Sequence, residues 1–372
     1  MDNNFRKTLK PDYFLIFLNI LIVIFYSFIF SAILTFSKNL FLRHFSIIFT
    51  ILFIYFLAYF PGIYTSDPAD QVAQATTSNI EDWQTPFHTL TFLVVLKIFK
   101  HIGFYVLIQI IISSILFAWI TSKFKIKEIF IVLFFLFPLT SIFLINAWKD
   151  VPWTLSLIWF SFLVYFSYKE NKINLLAFII SLSFIMLFRY NGIILVPLLL
   201  VLMALLFKGK IIKEVIAISI SLVFIYFISN FFFYNVLNVK RTELTYSKDF
   251  LIISHYVVNN YPFEKKDREI IEGIMPLDKI KERYNCLTVN TLFWGHPYFN
   301  IEKSRKYKDE IRRMLFNLIF SDFSTFLESI LCSSSYIYNP NQPFNFTNYR
   351  SDSYVEFNVK KAKLFMDSKL PP

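Results

Sequence analysis

The chain holds six glycines in 372 residues. None of them builds a Gly-rich phosphate loop, which excludes the nucleotide-binding fingerprints that need one. Cysteine is almost as scarce. Cys286 and Cys332 are the only two, and neither they nor the five histidines have the spacing of a metal site. No Ser-centred nucleophile elbow is present. A fourth absence is local. Residues 61–91 contain no Lys or Arg, although the chain carries 37 of them. That stretch holds four acids instead: Asp67, Asp70, Glu81 and Asp82.

What is abundant is apolar. Hydrophobic residues make up 56% of the chain, and Phe alone numbers 48. This exceeds what a soluble domain of this length buries. Apolar runs recur from residue 13 to residue 237, the pattern of a polytopic helical membrane protein. The expected fold is therefore all-α, with about eight transmembrane helices at 13–36, 45–60, 104–120, 129–148, 152–168, 174–188, 193–207 and 215–237. Residues 238–372 have no spanning run and carry 20 of the 37 Lys and Arg residues. They read as a mostly helical, water-exposed domain. Arg6, Lys7 and Lys10 precede the first run, which is long enough to remain as an anchor rather than a cleaved signal.

Basic loops mark the cytoplasmic side. Lys123, Lys125 and Lys127 form one cluster, Lys169 and Lys172 a second, and Lys208, Lys210 and Lys213 a third. All three can be cytoplasmic together. The turns at 148–153 and 189–192 then face outward, as do 61–103 and the tail. The N-terminus resists this scheme, because Lys38 and Arg43 make 37–44 look cytoplasmic as well. A ninth span at 88–100 would move the acidic loop inside. That segment is short and ends at Lys100 and His101, so it is expected to lie along the membrane surface. In an extracytoplasmic tail Cys286 and Cys332 could pair. Two unpaired thiols are the alternative.

Asp67-Pro68-Ala69-Asp70-Gln71 reads as a helix start, with Asp67 as N-cap and Asp70 closing a capping box. The same carboxylates, beside a membrane, could instead act as general base for an acceptor hydroxyl or amine. Lys149-Asp150 and Arg189-Tyr190-Asn191-Gly192 stand at outward turns, where topology disfavours cations. They are candidates for binding a phosphate, or they snorkel to headgroups. His88 is a candidate ligand or proton carrier. In the tail, 311–337 is expected to be one amphipathic helix, and 264–283 a charged helical stretch. The basic residues there lack the aromatic interleaving that nucleic acid binding would suggest.

Pro61-Gly62, Asp67 with Gln71 four residues on, Pro86 near His88-Thr89, Lys149-Asp150 and Arg189-x-Asn191-Gly192 together resemble the GT-C superfamily of polytopic glycosyltransferases, close to an uncharacterised bacterial branch of it. The resemblance covers about 60–210 and departs from that branch at Thr85-Pro86, where a His-Pro is usual. It implies transfer of a sugar from a polyprenyl-phosphate donor to a surface glycan or lipid acceptor, with inversion, on the outer face of the cytoplasmic membrane. Asp67 would be the base, with Asp70 second. Gln71, His88, Lys149, Asp150, Arg189 and Asn191 would bind substrate. A divalent cation is required by some members, and no ligand cluster decides the matter here. The rival classes are a flippase or transporter of lipid-linked sugars, and a non-catalytic assembly protein. Mid-span ionisable residues, expected of a transporter, are nearly absent.

Overall fold

The computed structural model describes residues 38–241, 247–287, 290–293 and 297–338. The expected span 13–36 lies outside them. Among the described residues the secondary structure is helical, with two isolated parallel bridge pairs and no sheet. The chain divides into two compact units that meet in sequence at Lys240 and Arg241.

In the first unit the helices are α1 (Leu40–Ala58), α2 (Ser66–Thr77), α3 (Pro86–Phe99), α4 (Gly103–Lys123), α5 (Glu128–Leu136), α6 (Pro138–Leu144), α7 (Asp150–Glu170), α8 (Leu175–Phe188), α9 (Gly192–Leu206) and α10 (Ile212–Phe231), the last continuing as a π-helix over Phe232–Val236. α1, α4, α7 and α10 with its extension are long and apolar enough to cross a membrane. α8 and α9 are apolar but only 14 and 15 residues long. That is about 21–22 Å of helix, short of a ~30 Å hydrocarbon core. Four such spans, or five if a bent pair in the second unit counts as one, fit a multi-pass membrane protein. The expected span 129–148 is not one helix. Pro138 lacks an N–H and pushes Phe137 to extended backbone, which separates α5 from α6.

The spans manage their few polar groups internally. Ser113, Ser114, Ser156 and Ser183 each donate to the carbonyl four residues earlier, which satisfies these hydroxyls within their own helices. Lipid is as apolar as Leu, so these helices associate through close packing rather than hydrophobic burial. Gly192 shows how close. A Cβ there would sit 2.0 Å from the Ile185 carbonyl oxygen on α8. Gly62 is required twice over, by a φ of +120° and by Val106 at 2.5 Å from where a Cβ would stand.

The packing defines two ends of this unit. At one, Arg43 pairs with Glu128, His44 Nδ1 meets the Thr121 hydroxyl at 2.9 Å, and Lys123 lies 3.9 Å from Glu170. At the other, Phe60 stacks on His101 with centroids 5.4 Å apart, and the Tyr64 hydroxyl donates to the Ile102 carbonyl. The excursion 61–102, α3 included, therefore leaves and returns at one end.

The second unit holds α11 (Ser247–Val258), α12 (Lys265–Ile274), α13 (Leu277–Arg283), α14 (Asn290–Phe293), α15 (Ile301–Lys306), α16 (Lys308–Ser321) and α17 (Phe323–Tyr338). Its core is built around Phe250, Ile253, Tyr256, Ile271, Ile274, Ile280 and Met314. Cys286 and Cys332 form a disulfide. The charged stretch 264–283 is two helices parted at Met275-Pro276. The expected single helix over 311–337 is also two, bent by 109°. Asp322 makes the bend. Its carboxylate accepts from the Thr325 amide and from the Ser324 and Thr325 hydroxyls. The buried Tyr256 hydroxyl donates to the Leu318 and Asp322 carbonyls.

Candidate functional site

The site lies at the acidic end of the first unit, and backbone pairing assembles it. Ile63 pairs in parallel with Asn146. The Ile63 amide donates to Ile145, and the Ala147 amide donates back to Ile63. Gln109 on α4 holds the second strand of this pair by donating to the Leu144 and Asn146 carbonyls at 2.8 and 2.9 Å. A stretch that enters α2 is thereby fastened beside the stretch that enters α7. The consequence is that Asp67, in the first turn of α2, meets Lys149, the residue before α7.

Lys149 Nζ lies 3.2 Å from the Asp67 carboxylate and donates to Gln84 Oε1 at 2.6 Å. Its side chain is only 17% exposed. The next residue, Asp150, pairs with Arg189 at the turn between α8 and α9. The Arg189 guanidinium also lies over the Trp153 ring, 5.4 Å from its centroid. The start of α7 therefore gathers groups from three separate turns. Asp67 does not cap its helix. The N-cap is Thr65, with no side-chain bond, because α2 begins at Ser66. The capping role expected of Asp67 is thus corrected, since its carboxylate is turned to Lys149.

The other expected site residues lie elsewhere. Asp70 does not close a capping box. It accepts from Gln74 Nε2 at 2.9 Å and from Trp83 Nε1 at 3.2 Å, and Gln74 in turn accepts from the Glu81 amide. These bonds hold the loop after α2. Gln71, His88 and Thr89 form a fully buried chain with Tyr105: Gln71 Oε1 to His88 Nδ1 at 2.7 Å, His88 Nε2 to the Tyr105 hydroxyl at 2.9 Å, and Gln71 Nε2 to Thr89 at 3.1 Å. Burial, and after it the charge of Lys149, push the His88 imidazole down to about 3. With both ring nitrogens engaged, it braces α2, α3 and α4 against one another. Asn191 is exposed and precedes α9 without a side-chain capping bond.

Two residues that sequence reasoning passed over belong to the cluster. Gln84 is buried, and its Nε2 has no hydrogen-bond partner among the described residues. Trp153 Nε1 is likewise buried and unpaired. An unpartnered buried donor costs about 1–3 kcal/mol, so two of them beside two ion pairs mark a place that an oxygen-rich ligand would complete. The helical spacing of Lys149 and Trp153, four residues apart, was the signal available for Trp153. Gln84 has no such signal.

Beside the cluster lies a cavity of about 610 Å³, walled by Phe87, Val95, Ile112, Leu116, Trp159 and Phe184 among others. Its lining reaches from Tyr105 to Trp119 along α4, about 21 Å of helix. Phe188 and Pro152, also in its wall, are one and two positions from Arg189 and Asp150. Among the described residues no three His, Cys, Asp or Glu side chains converge. Asp67 and Asp150 are each engaged by a cation of the chain. This donor set does not fit a protein-caged divalent ion. No family model, curated protein or solved structure matches this chain.

Proposed function

We propose that the chain is a membrane glycosyltransferase that moves a sugar from a polyprenyl-phosphate donor to a glycan or lipid acceptor. The observation that carries this reading is the adjacency of an anion-suited cluster and a long apolar cavity. A lipid-linked sugar phosphate has those two parts. Its chain would occupy the slot along α4. Its phosphate would sit at Lys149 and Arg189, with Gln84 Nε2 and Trp153 Nε1 as further donors. These groups would stabilise the departing phosphate, a role that works best in a water-poor site. Asp67 would take the acceptor proton as the acceptor oxygen attacks the anomeric carbon and the carbon–phosphate oxygen bond breaks. The ion pair to Lys149 would hold that carboxylate in place until substrate enters.

The reading includes the finer topology: eight spans, with the acidic loop and the second unit on the outer face of the cytoplasmic membrane. The disulfide of the second unit supports that side, since oxidising compartments retain such bonds. Cysteines introduced at the exposed Thr77 and Glu269 test it. Labelling by an impermeant reagent in intact cells is expected, and labelling only after permeabilisation overturns the topology. The test of function is transfer in membranes supplied with polyprenyl-phosphate sugar. Arg189→Lys keeps the charge but loses the two-pronged donor geometry, so donor use should weaken. Wild-type transfer in this variant would reduce Arg189 to a headgroup anchor.

A lipid-linked-sugar flippase is the second reading, favoured by a second cavity. It is lined by Lys123, Phe166, Glu170 and Lys172 at the basic end and shares Trp119 with the first. Movement of donor across sealed vesicles without acceptor would select it.

A further inference from the structure

We propose that the exposed face of α16 and α17 is a membrane-docking surface that lies on the bilayer and engages the phosphates of anionic lipid headgroups. The inference rests on the reading of the first unit as membrane-spanning. Both helices bury one side in their own unit. Ile311, Met314 and Leu318 of α16 belong to the core, and Ser329 of α17 is buried. The opposite side is apolar too. Phe316, Phe320 and Phe323 are 61%, 74% and 59% exposed, and Leu327 and Ile330 are exposed as well. Phe316 and Phe320 are four residues apart on α16, and Phe323, Leu327 and Ile330 follow at four and three on α17, so each helix carries an apolar stripe of its own. The Phe316 and Phe320 rings contact each other in a tilted arrangement, with centroids 4.7 Å apart. Exposed phenylalanines in such a row are not ordinary surface.

Arg312 and Arg313 stand one turn before Phe316. Both remain about half exposed beside Asp249 at 4.0 Å and Asp267 at 3.4 Å. Residues 301–313 hold six basic and three acidic side chains. Aromatic anchors with arginines at their margin match the boundary between acyl chains and anionic headgroups. The pair does not cross the bilayer as one span. The 109° bend is pinned by Tyr256 and Asp322, and the first two turns of α16 carry Lys308, Asp309, Glu310, Arg312 and Arg313.

The test uses the full chain, with its disulfide intact, in vesicles of phosphatidylcholine with and without phosphatidylglycerol. An environment-sensitive fluorophore is placed at Phe320→Cys, Leu327→Cys and, as control, the exposed Glu269→Cys. Nitroxide lipids are expected to quench the first two labels at least about twofold more than the control. The pair Arg312→Glu and Arg313→Glu should abolish the part of this quenching that depends on phosphatidylglycerol. Equal quenching at all three positions overturns the proposal. So does cross-linking of the Phe320→Cys label to a second copy or to residues 339–372, since protein would then cover the face. Release of the whole chain by alkaline carbonate would instead overturn the membrane reading itself.

Discussion

The two ends of the first unit use the same chemistry to different effect. At the basic end, Lys123 and Glu170 are 50% and 56% exposed and 3.9 Å apart. An ion pair so open to solvent is worth about 0–1 kcal/mol. It stands close in the chain to Lys125 and Lys127. At the acidic end, Lys149 is 17% exposed, binds Asp67 and Gln84 together, and has two unpaired donors for neighbours. Lys149 is therefore both less exposed than Lys123 and shared between two partners. The comparison teaches that the number of charges says little about an end of a helical bundle. Their burial and the groups gathered around them say much more.

The strongest way to break that contrast is to change the carboxylate. Asp67→Asn is expected to lower sugar transfer by ~10²–10⁴-fold, the usual cost of a lost general base. The protein should remain folded, because Asn still accepts from Lys149. Transfer assays on purified variant and wild type decide it, and undiminished transfer would make the acidic end as passive as the basic one. Asp70→Asn is the companion measurement. Its carboxylate is tied to Gln74 and Trp83, so looser protease resistance of the loop is expected before loss of chemistry.

A matched pair sharpens the contrast further. Lys149→Met should cost about 10²-fold in transfer, comparable to removing one donor from an oxyanion site. Lys123→Met at the other end should change transfer less than about twofold. Equal effects would show that the burial difference has no functional meaning. Next in size is a packing change at the acidic end. Gly192→Ala would push its Cβ into the Ile185 carbonyl and should cost about 1–3 kcal/mol by thermal melting in detergent.

The smallest expected effect lies in the second unit. His255 is held by Tyr284 and Asn259, with Glu328 at 3.9 Å. Burial lowers its affinity for a proton, and Glu328 offsets this in part. The folded state thus binds fewer protons than the unfolded state, so stability falls as pH drops below the ordinary imidazole value of about 6.5. Melting of the wild type should therefore shift down at acid pH, and His255→Gln should remove that component. A pH-independent difference between the two would refute this role.

Much of the architecture was legible in the chain. The apolar runs placed α1, α4, α7 and α10, because a spanning helix needs length and hydropathy and little else. The basic clusters marked one end, and the lone cations at 149 and 189 stood out by position. Helix breaks inside apolar runs were less legible. Pro138 was visible but lay within a run long enough to span, and the bend at Asp322 depends on a hydroxyl from Tyr256, which is remote in sequence. What decided the candidate site was tertiary. No local rule joins Ile63 to Asn146, yet that bridge and the two bonds from Gln109 place Asp67 on Lys149 rather than on its own helix end. Nor does any local rule bury His88 between Gln71 and Tyr105, or leave Gln84 and Trp153 with unused donors. Hydropathy and charge act along the chain and can be read from it. Hydrogen-bond satisfaction and cavity shape are properties of contacts between distant segments, and exist only once those segments have packed.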